Sequence, residues 1–470
     1  MSEALPNDKN LLAQAMWHGE KSRKIVKRVV VEGTLVLQTP AHFGSGDEAG
    51  ALMPLIVDER EGKPLLTGAS IAGALRSYVW SLEKGYGHAQ SGNSHAAALF
   101  GGVREDAEGA QSRLIVDDAL GDNGTVELRD GVRIDGKSRT ASEGALYTFV
   151  VWQAGTSFPL RFELILTEND NENQLLQLLA TALHGLQAGE ITLGARKGRG
   201  YGRAKVDEWQ VRIYDMHNET DLMAWLRGDA LSDTSKDLFA TFDVEPLKDA
   251  RQVFTLEATF TLRSTLLIRS DSTVADMGHL RSNGKSVLSG TSLAGAIRAR
   301  ALKIANTLNR ADAGDFINKL FGAFGDTDGD KKAQKDRAAS RITFEEHAID
   351  GGQFDMVQSR VSIDRFTGGA LDTALFNQQP HISGTVTLKC RIKNPSDAEI
   401  GLLLLILKDL WTGDLALGGE SSVGRGRLAG KEATIKHNNK QWRVEDAGKG
   451  KLSITGDREQ LEDYVKEVSA

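Results

Sequence analysis

The sequence has one cysteine in 470 residues, Cys390, so no intrachain disulfide can form and a reducing, cytosolic compartment is the simpler expectation. Proline is scarce, at 8 residues against 50 glycines, an imbalance that argues for ordered glycine turns over a disordered tail. Long hydrophobic runs are missing. The greasiest stretch, residues 402–407, is far shorter than the roughly 20 residues that cross a bilayer, and Met1 to Leu11 is polar with no apolar signal core. No membrane role is expected, and the run reads as a buried helix. A basic surplus is also missing: 57 Lys and Arg against 64 Asp and Glu give a net charge of -7 and a pI near 5.9. That balance argues against a general polyanion binder and leaves room for one localised basic groove. No nucleotide-binding P-loop occurs, since G-x-x-x-x-G-K followed by Ser or Thr is absent.

What is present is a repeat. LLTGASIAGALRSYV, with Gly68, Ser70, Gly73 and Arg76, returns as VLSGTSLAGAIRARA, with Gly290, Ser292, Gly295 and Arg298, at an offset of 222 residues. ALFGG around Leu99 and Phe100 returns as KLFGAFG around Leu320 and Phe321 at an offset of 221. LGARKGRGYGR at 193–203 returns as LGGESSVGRGR at 417–427, at an offset of 224. Three collinear matches at nearly one offset are hard to obtain from composition. The chain therefore reads as two copies of one domain, 1–247 and 248–470, with a linker between Asp243 and Phe254 where VEPLKDARQ carries proline and charge.

Each copy opens on a period-two run, 29–37 and 253–267, which predicts a strand with one buried face. A glycine-containing loop and a helix follow, with Ser70 or Ser292 as the expected cap of the helix start. Further strands are expected at 112–116, 147–152 and 158–166, and at 342–344 and 382–390. Helices are expected at 173–186 and 396–411, each leading into a glycine-rich turn and a last strand. Strand, helix, strands, helix, strand is the order of a ferredoxin-like α+β unit, and two such units in tandem are the expected fold.

Two features point to phosphate. The first glycine loop packs Arg196, Lys197, Arg199 and Arg203 among four glycines, and the second keeps Arg425 and Arg427 beside Ser421 and Ser422. Glycine permits positive φ and close backbone approach, while exposed N–H groups and guanidinium forks suit phosphate oxygens. The alternative is a tight helix-to-strand turn with solvated charges. The helix starts carry a similar choice: Ser70 and Ser292 as caps with Arg76 and Arg298 as surface arginines, or an anion site at each helix N-terminus.

A strand ending in a glycine loop, a G-x-S-x-x-G-x-x-R helix, an L-F-G and a closing glycine-arginine loop, all present twice, resemble the repeat-associated mysterious protein (RAMP) superfamily of CRISPR effector proteins. Each half is similar to the Cas-seven-like backbone subunit of type III complexes, and the fused pair to the double backbone subunit of the type III-D variant. The resemblance spans nearly the whole chain. It implies a filament of RAMP backbone subunits along CRISPR RNA, a Cas-ten-like large subunit as partner, and β-hairpin thumbs that splay single nucleotides out of the duplex with a single-stranded target RNA. The thumb candidates are DGVRIDGKSRTASEGALY, with Arg133 and Arg139, and SRVSIDRFTGGALDTALF, with Arg360, Arg365 and Phe376; ordinary surface hairpins are the alternative.

The same resemblance places target cleavage at an Asp in the loop before the G-x-S helix, with a divalent metal. In the second copy Asp276 matches that position, 14 residues before Gly290. In the first copy Met53 stands there, 15 residues before Gly68, and a thioether neither coordinates hard Mg²⁺ nor takes a proton. Cleavage is therefore expected in the second domain alone, by 2′-OH attack at Asp276 with Mg²⁺ or Mn²⁺ held weakly and completed by water and RNA oxygens. Asp47, which matches Asp271, is a weaker substitute in the first copy. His279 is a candidate base or phosphate donor, and His42 a structural or backbone-contacting residue. DTDGDKK from Asp326 starts like a calcium loop but has Arg337 where the twelfth-position Glu belongs, so it reads as a solvated loop. Two other functions stay open: an architectural RNA-binding backbone that does not cut, and an autonomous repeat-RNA endonuclease with a His-centred site.

Overall fold

The computed structural model of the chain describes residues 24–44, 54–102, 110–122, 124–135, 140–229, 233–323, 338–448 and 451–469. Met53, Asp47, Arg139 and the DTDGDKK segment lie outside them.

The first half runs β1 (Ile25–Leu37), α1 (Gly68–Lys84), α2 (His95–Phe100), β2 (Leu114–Val116), β3 (Val126–Ile134), β4 (Ala141–Trp152), β5 (Ser157–Thr167), α3 (Glu172–Gln187), β6 (Ala204–Asp215), α4 (Glu219–Arg227), β7 (Asp233–Ser235) and α5 (Leu238–Phe242). The second runs β8 (Val253–Leu262), β9 (Met277–His279), α6 (Gly290–Thr307), α7 (Ala313–Phe321), β10 (Ile342–Phe344), β11 (Gln358–Ile363), β12 (Ala370–Gln379), β13 (Thr385–Lys393), α8 (Asp397–Thr412), β14 (Leu428–His437), β15 (Lys440–Asp446), β16 (Leu452–Thr455) and α9 (Arg458–Lys466), with short two-residue pairings between β8 and α6. This is an α+β architecture with antiparallel sheets.

The sheet orders are β2-β5-β1-β6-β7 and β10-β13-β8-β14-β15-β16, so the first strand of each half is central and antiparallel to both neighbours. Equivalent rungs recur: Val31 faces Phe162 across β1 and β5, and Leu256 faces Cys390 across β8 and β13. Alternation explains the layering. Phe254, Leu256, Ala258, Phe260 and Leu262 are buried while the residues between them are not, so one face of the second sheet lies under α6, α7 and α8. The first buried core draws on residues from Val29 to Phe242 and the second from Phe254 to Val468.

Three expectations need correction. The long run 253–267 breaks after Leu262, because Thr265 and Leu266 leave the sheet to pair with Ile382 and His381. The second copy's expected strand 382–390 begins only at Thr385 for the same reason. The helix starts lie three residues earlier than expected: Thr67 and Ser289 are the caps, their side chains accepting from the Ser70 and Ser292 N–H groups at 3.3 Å. Ser396 caps α8 in a full capping box with Glu399.

The C-terminal helix docks through a missing side chain. A Cβ at Gly401 in α8 would overlap the Tyr464 carbonyl of α9, whereas one at Gly314 in α7 would meet nothing. Gly401→Val is expected to lower the stability of the chain by about 3 kcal/mol or more through overpacking. Gly314→Ala should leave it unchanged or raise it by up to about 1 kcal/mol. Denaturant melts of the two variants check both.

Candidate nucleic-acid interface

The two glycine loops have one backbone shape. Gly194 and Gly418 have φ of 81° and 74°, Arg196 and Glu420 59° and 60°, Gly200 and Gly424 89° and 86°, and Gly202 and Gly426 75° and 74°. Each loop is bonded to the end of its own first-strand segment. The Gly202 N–H donates to the Pro40 carbonyl at 2.8 Å and Gly426 to Thr265 at 2.7 Å; Ala195 donates to His42 and Gly419 to Leu267. A Cβ at Gly202 or Gly426 would overlap the carbonyl of Leu193 or Leu417, so both positions require glycine for space as well as for φ.

Side chains on this shared backbone differ. In the first copy Arg196 lies over the Phe149 ring at 4.0 Å and donates to the Tyr147 hydroxyl at 3.0 Å, while Tyr201 packs edge-on against Phe149. In the second copy Glu420 occupies the place of Arg196 and Arg425 that of Tyr201. Arg425 donates to Gln358 at 2.9 Å and Gln378 at 2.8 Å, and Glu420 accepts from Gln378 and from Arg360 at 3.1 Å. Arg425 was expected at the RNA surface. It is only 1% exposed, and it fastens the loop to the roots of β11 and β12 instead.

Of the other basic candidates, Lys197, Arg427, Arg133 and Arg365 are exposed, Arg196 and Arg199 are half-buried, and Arg203 forms an ion pair with Glu345 of the second half. Arg298 donates to the Gly322 carbonyl at 3.0 Å and to Asn318 at 2.7 Å; Arg76 reaches Gln90 and the Phe100 and Gly102 carbonyls. Each thus tethers the C-terminal end of the next helix, where unpaired carbonyls favour a cation. That bonding explains why G-x-S-x-x-G-x-x-R and L-F-G recur together.

Strands β3–β4 and β11–β12 are hairpins that present apolar side chains to solvent, including Leu128, Leu146, Val361 and Leu375. Phe366, at the turn of the second hairpin beside Arg365, is 98% exposed. Asp276 stands at the root of that hairpin. Its carboxylate accepts the Asn377 N–H at 2.7 Å, its own N–H donates to the Asn377 carbonyl at 3.1 Å, and β9 then pairs with β12 in parallel. The side chain is exposed, with one carboxylate oxygen uncommitted to the backbone bond. Among the described residues no three His, Cys, Asp or Glu side chains come together as a metal site, so Asp276 by itself makes only part of one.

His279 is not a base. It is buried, its Nδ1 accepts from the Ile268 N–H at 3.2 Å, and its Nε2 therefore donates to the Val287 carbonyl at 3.0 Å. Burial, together with His381 at 5.8 Å, pushes its pKa down to about 4. His42 is buried as well, with Nδ1 at 2.8 Å from the Val150 carbonyl at the foot of the first hairpin.

The first hairpin is anchored in the second half, a feature with no local signal in the sequence. Arg129 makes a buried ion pair with Glu346 at 3.0 Å and another with Glu127 at 3.0 Å. Glu127 in turn accepts from the Ser282 hydroxyl and the Asn283 N–H. The first glycine loop seats beside it: a Cβ at Gly290 would overlap the Arg199 carbonyl.

Two α+β copies, each presenting a hairpin beside a glycine loop, define a tandem-repeat protein with an extended candidate surface. The chain belongs to the RAMP superfamily: that family's model matches residues 34–205 and again residues 259–429. Membership implies a CRISPR-associated RNA-binding subunit. No curated protein matches the chain. No helix among the described residues is long and apolar enough to cross a membrane.

Two measurements probe this junction. Arg129→Met leaves Glu346 buried without its charge partner and is expected to cost about 3–5 kcal/mol in denaturant melts, much of which returns when Glu346→Met is added. His279 stays neutral in the fold to about pH 4, whereas the unfolded chain takes up that proton near pH 6.5. The unfolded state therefore binds more protons between these values. Stability should fall by up to about 3 kcal/mol as the pH drops through that window, and His279→Gln should flatten this part of the profile.

Proposed function

We propose that this chain is a double Cas-seven-like backbone subunit of a type III, and specifically type III-D, CRISPR effector, cytoplasmic, that binds CRISPR RNA and single-stranded target RNA. Each half is a ferredoxin-like unit, and the two hairpins are thumbs: exposed apolar side chains on a narrow two-stranded projection, with Phe366 at one tip, suit insertion between bases. Other RAMP backbone subunits and a Cas-ten-like large subunit complete the assembly. The first half's loop seats on the second half, and the equivalent second-half loop, with Val423 more than half exposed, offers the same contact to a neighbour.

Cleavage belongs to the second half. The observation that carries this reading is the Asp276 carboxylate held at the root of the hairpin by the Asn377 backbone. A thumb that displaces one nucleotide breaks regular A-form stacking and lets the 2′-OH align in line with its own phosphorus. Attack forms the 2′-O–P bond and breaks the P–O5′ bond, leaving a 2′,3′-cyclic phosphate and a 5′-hydroxyl. Asp276 orients the strand and can accept the 2′-OH proton. A Mg²⁺ or Mn²⁺ ion arriving with the RNA would neutralise charge on the phosphate, with Asp276 supplying one hard oxygen.

An architectural role without cleavage is the second reading, favoured by the absence, among the described residues, of a cluster of three His, Cys, Asp or Glu side chains that could hold a metal. Asp276→Ala in the reconstituted complex separates the two. Loss of the products cut at this subunit, by about a hundredfold or more in rate, with RNA affinity kept within a few-fold, is expected; an unchanged product ladder would establish the architectural reading.

A further inference from the structure

The two halves enclose a cleft of about 1610 Å³ between α1 of the first half and the face of the second sheet that its own helices leave open. Along β13 the residues facing the core are Val386, Leu388, Cys390 and Ile392, so Lys389, Arg391 and Lys393 share the opposite face. Two-residue spacing sets them about 6.6–6.8 Å apart, a repeat that lets successive cations meet successive phosphates of an extended strand. Thr255 of β8 pairs with both Arg391 and Lys436, which puts those two cations on one rung across three strands.

The charges in the cleft do not balance. Its carboxylates are already occupied: Glu190 by Arg251 at 2.8 Å, Glu257 by Lys389 at 2.9 Å, and Glu345 by Arg203. Lys197, Arg391, Lys393 and Lys436 also line it, and none of them has a carboxylate partner among the described residues. Lys393 rests near the Tyr86 ring at 5.0 Å, and burial, with Arg391, Lys197 and Arg251 nearby, holds its pKa below the usual lysine range. Like charges gathered at such a site are a cost that an anionic ligand removes.

The fold does not require this surplus: by matching rungs Arg391 and Lys393 stand where the first half has Glu163 and Ile165, and Lys436 alone has a cationic counterpart, Arg212. The rungs Val116–Phe162 and Phe344–Cys390 are equivalent, so Arg391 stands where the first sheet has Glu163. Glu163 accepts from Arg28 and Arg161 and from the Trp225 indole of α4, which covers that face. The equivalent Glu–cation pairs, Glu32–Arg161 and Glu257–Lys389, are present in both halves. Only the next position changes sign.

We propose that this inter-repeat cleft is a second RNA site, which takes the phosphate backbone of a single-stranded RNA segment on Arg391, Lys393, Lys436 and Lys197. Size favours a strand over a small anion: the volume exceeds the roughly 300–1,000 Å³ of small-ligand pockets. The opposing wall from α1 carries Ser70, Gly73 and Ser77, small uncharged residues that leave space for a backbone and its sugars. The inference rests on the RNA-binding reading above and adds a place for the strand on the open face of the second sheet.

The test uses the full chain and a fluorescein-labelled single-stranded RNA oligonucleotide, read by anisotropy over a salt series. Replacing Arg391, Lys393 and Lys436 together by Gln is expected to weaken binding at least tenfold and to reduce the slope of log affinity against log salt by about 2, at roughly 0.7 per phosphate contact. The same charge change at Lys440, Arg443 and Lys466 should alter neither. In the unaltered chain, RNA should protect Lys393 and Lys436 from acetylation, a readout independent of any effect of substitution on folding. Unchanged affinity and slope in a triple variant of normal melting temperature, or absence of acetylation protection, overturns the cleft as an RNA site. So does inorganic tripolyphosphate that shields both lysines without competing with RNA, which would mark a small-anion site. If the unaltered chain binds no RNA at all, the RNA-binding reading itself fails, an outcome distinct from loss of the cleft alone.

Discussion

The hydrogen bonds from Gly202 to Pro40 and from Gly426 to Thr265 hold each glycine loop against the end of its copy's first-strand segment, and the arrangement of the candidate surface follows from them. Both glycines sit in left-handed backbone with a carbonyl where a side chain would be. Because the loop is pinned there, the residue eight positions after its first leucine meets the hairpin root from below: Tyr201 against Phe149 in one copy, Arg425 against Gln358 and Gln378 in the other. Hairpin, loop and strand end are therefore one mechanical unit in each half.

Within that unit the backbone repeats and the charges do not. The first junction is aromatic with a cation on top, and the second is a buried polar network centred on Glu420 and Arg425. The first hairpin root is completed by Glu346 from the other half, so the two copies are tied through a buried ion pair as well as through the loop at Gly290. The open sheet faces diverge in the same way, with a carboxylate at Glu163 and a guanidinium at Arg391 in matching rungs. Duplication thus supplies two frames of one shape on which different chemistry can stand.

Much of the frame was legible from pattern. Period-two burial locates β8, and the apolar run at 402–407 supplies Leu402, Leu403, Ile406 and Leu407 to the buried face of α8, which Ser396 caps. Where reading along the chain went astray, a long-range contact was responsible at the strand ends and a local cap at the helix starts. Thr265 and Leu266 continue the strand pattern but pair with another segment, and Thr67 and Ser289 take the caps because the chain bends three residues before the serines suggested by the motif. Helix α9 is short and strongly charged, and its buried Leu461 and Tyr464 make sense only against the bare backbone at Gly401.

The sequence by itself determined that the module occurs twice, where the main strands and helices of each copy lie, and which two loops are built on glycine. These depend on periodicity and on local steric rules, both of which operate over a few residues. Only the tertiary structure decided what each charged or titratable side chain does: Arg425 buried, Arg76 and Arg298 bound to helix ends, His279 kept neutral in the core, Asp276 joined to Asn377. A guanidinium, an imidazole or a carboxylate takes its role from whichever distant group the fold brings within about 3 Å, and that distance is not written in the spacing of residues along the chain.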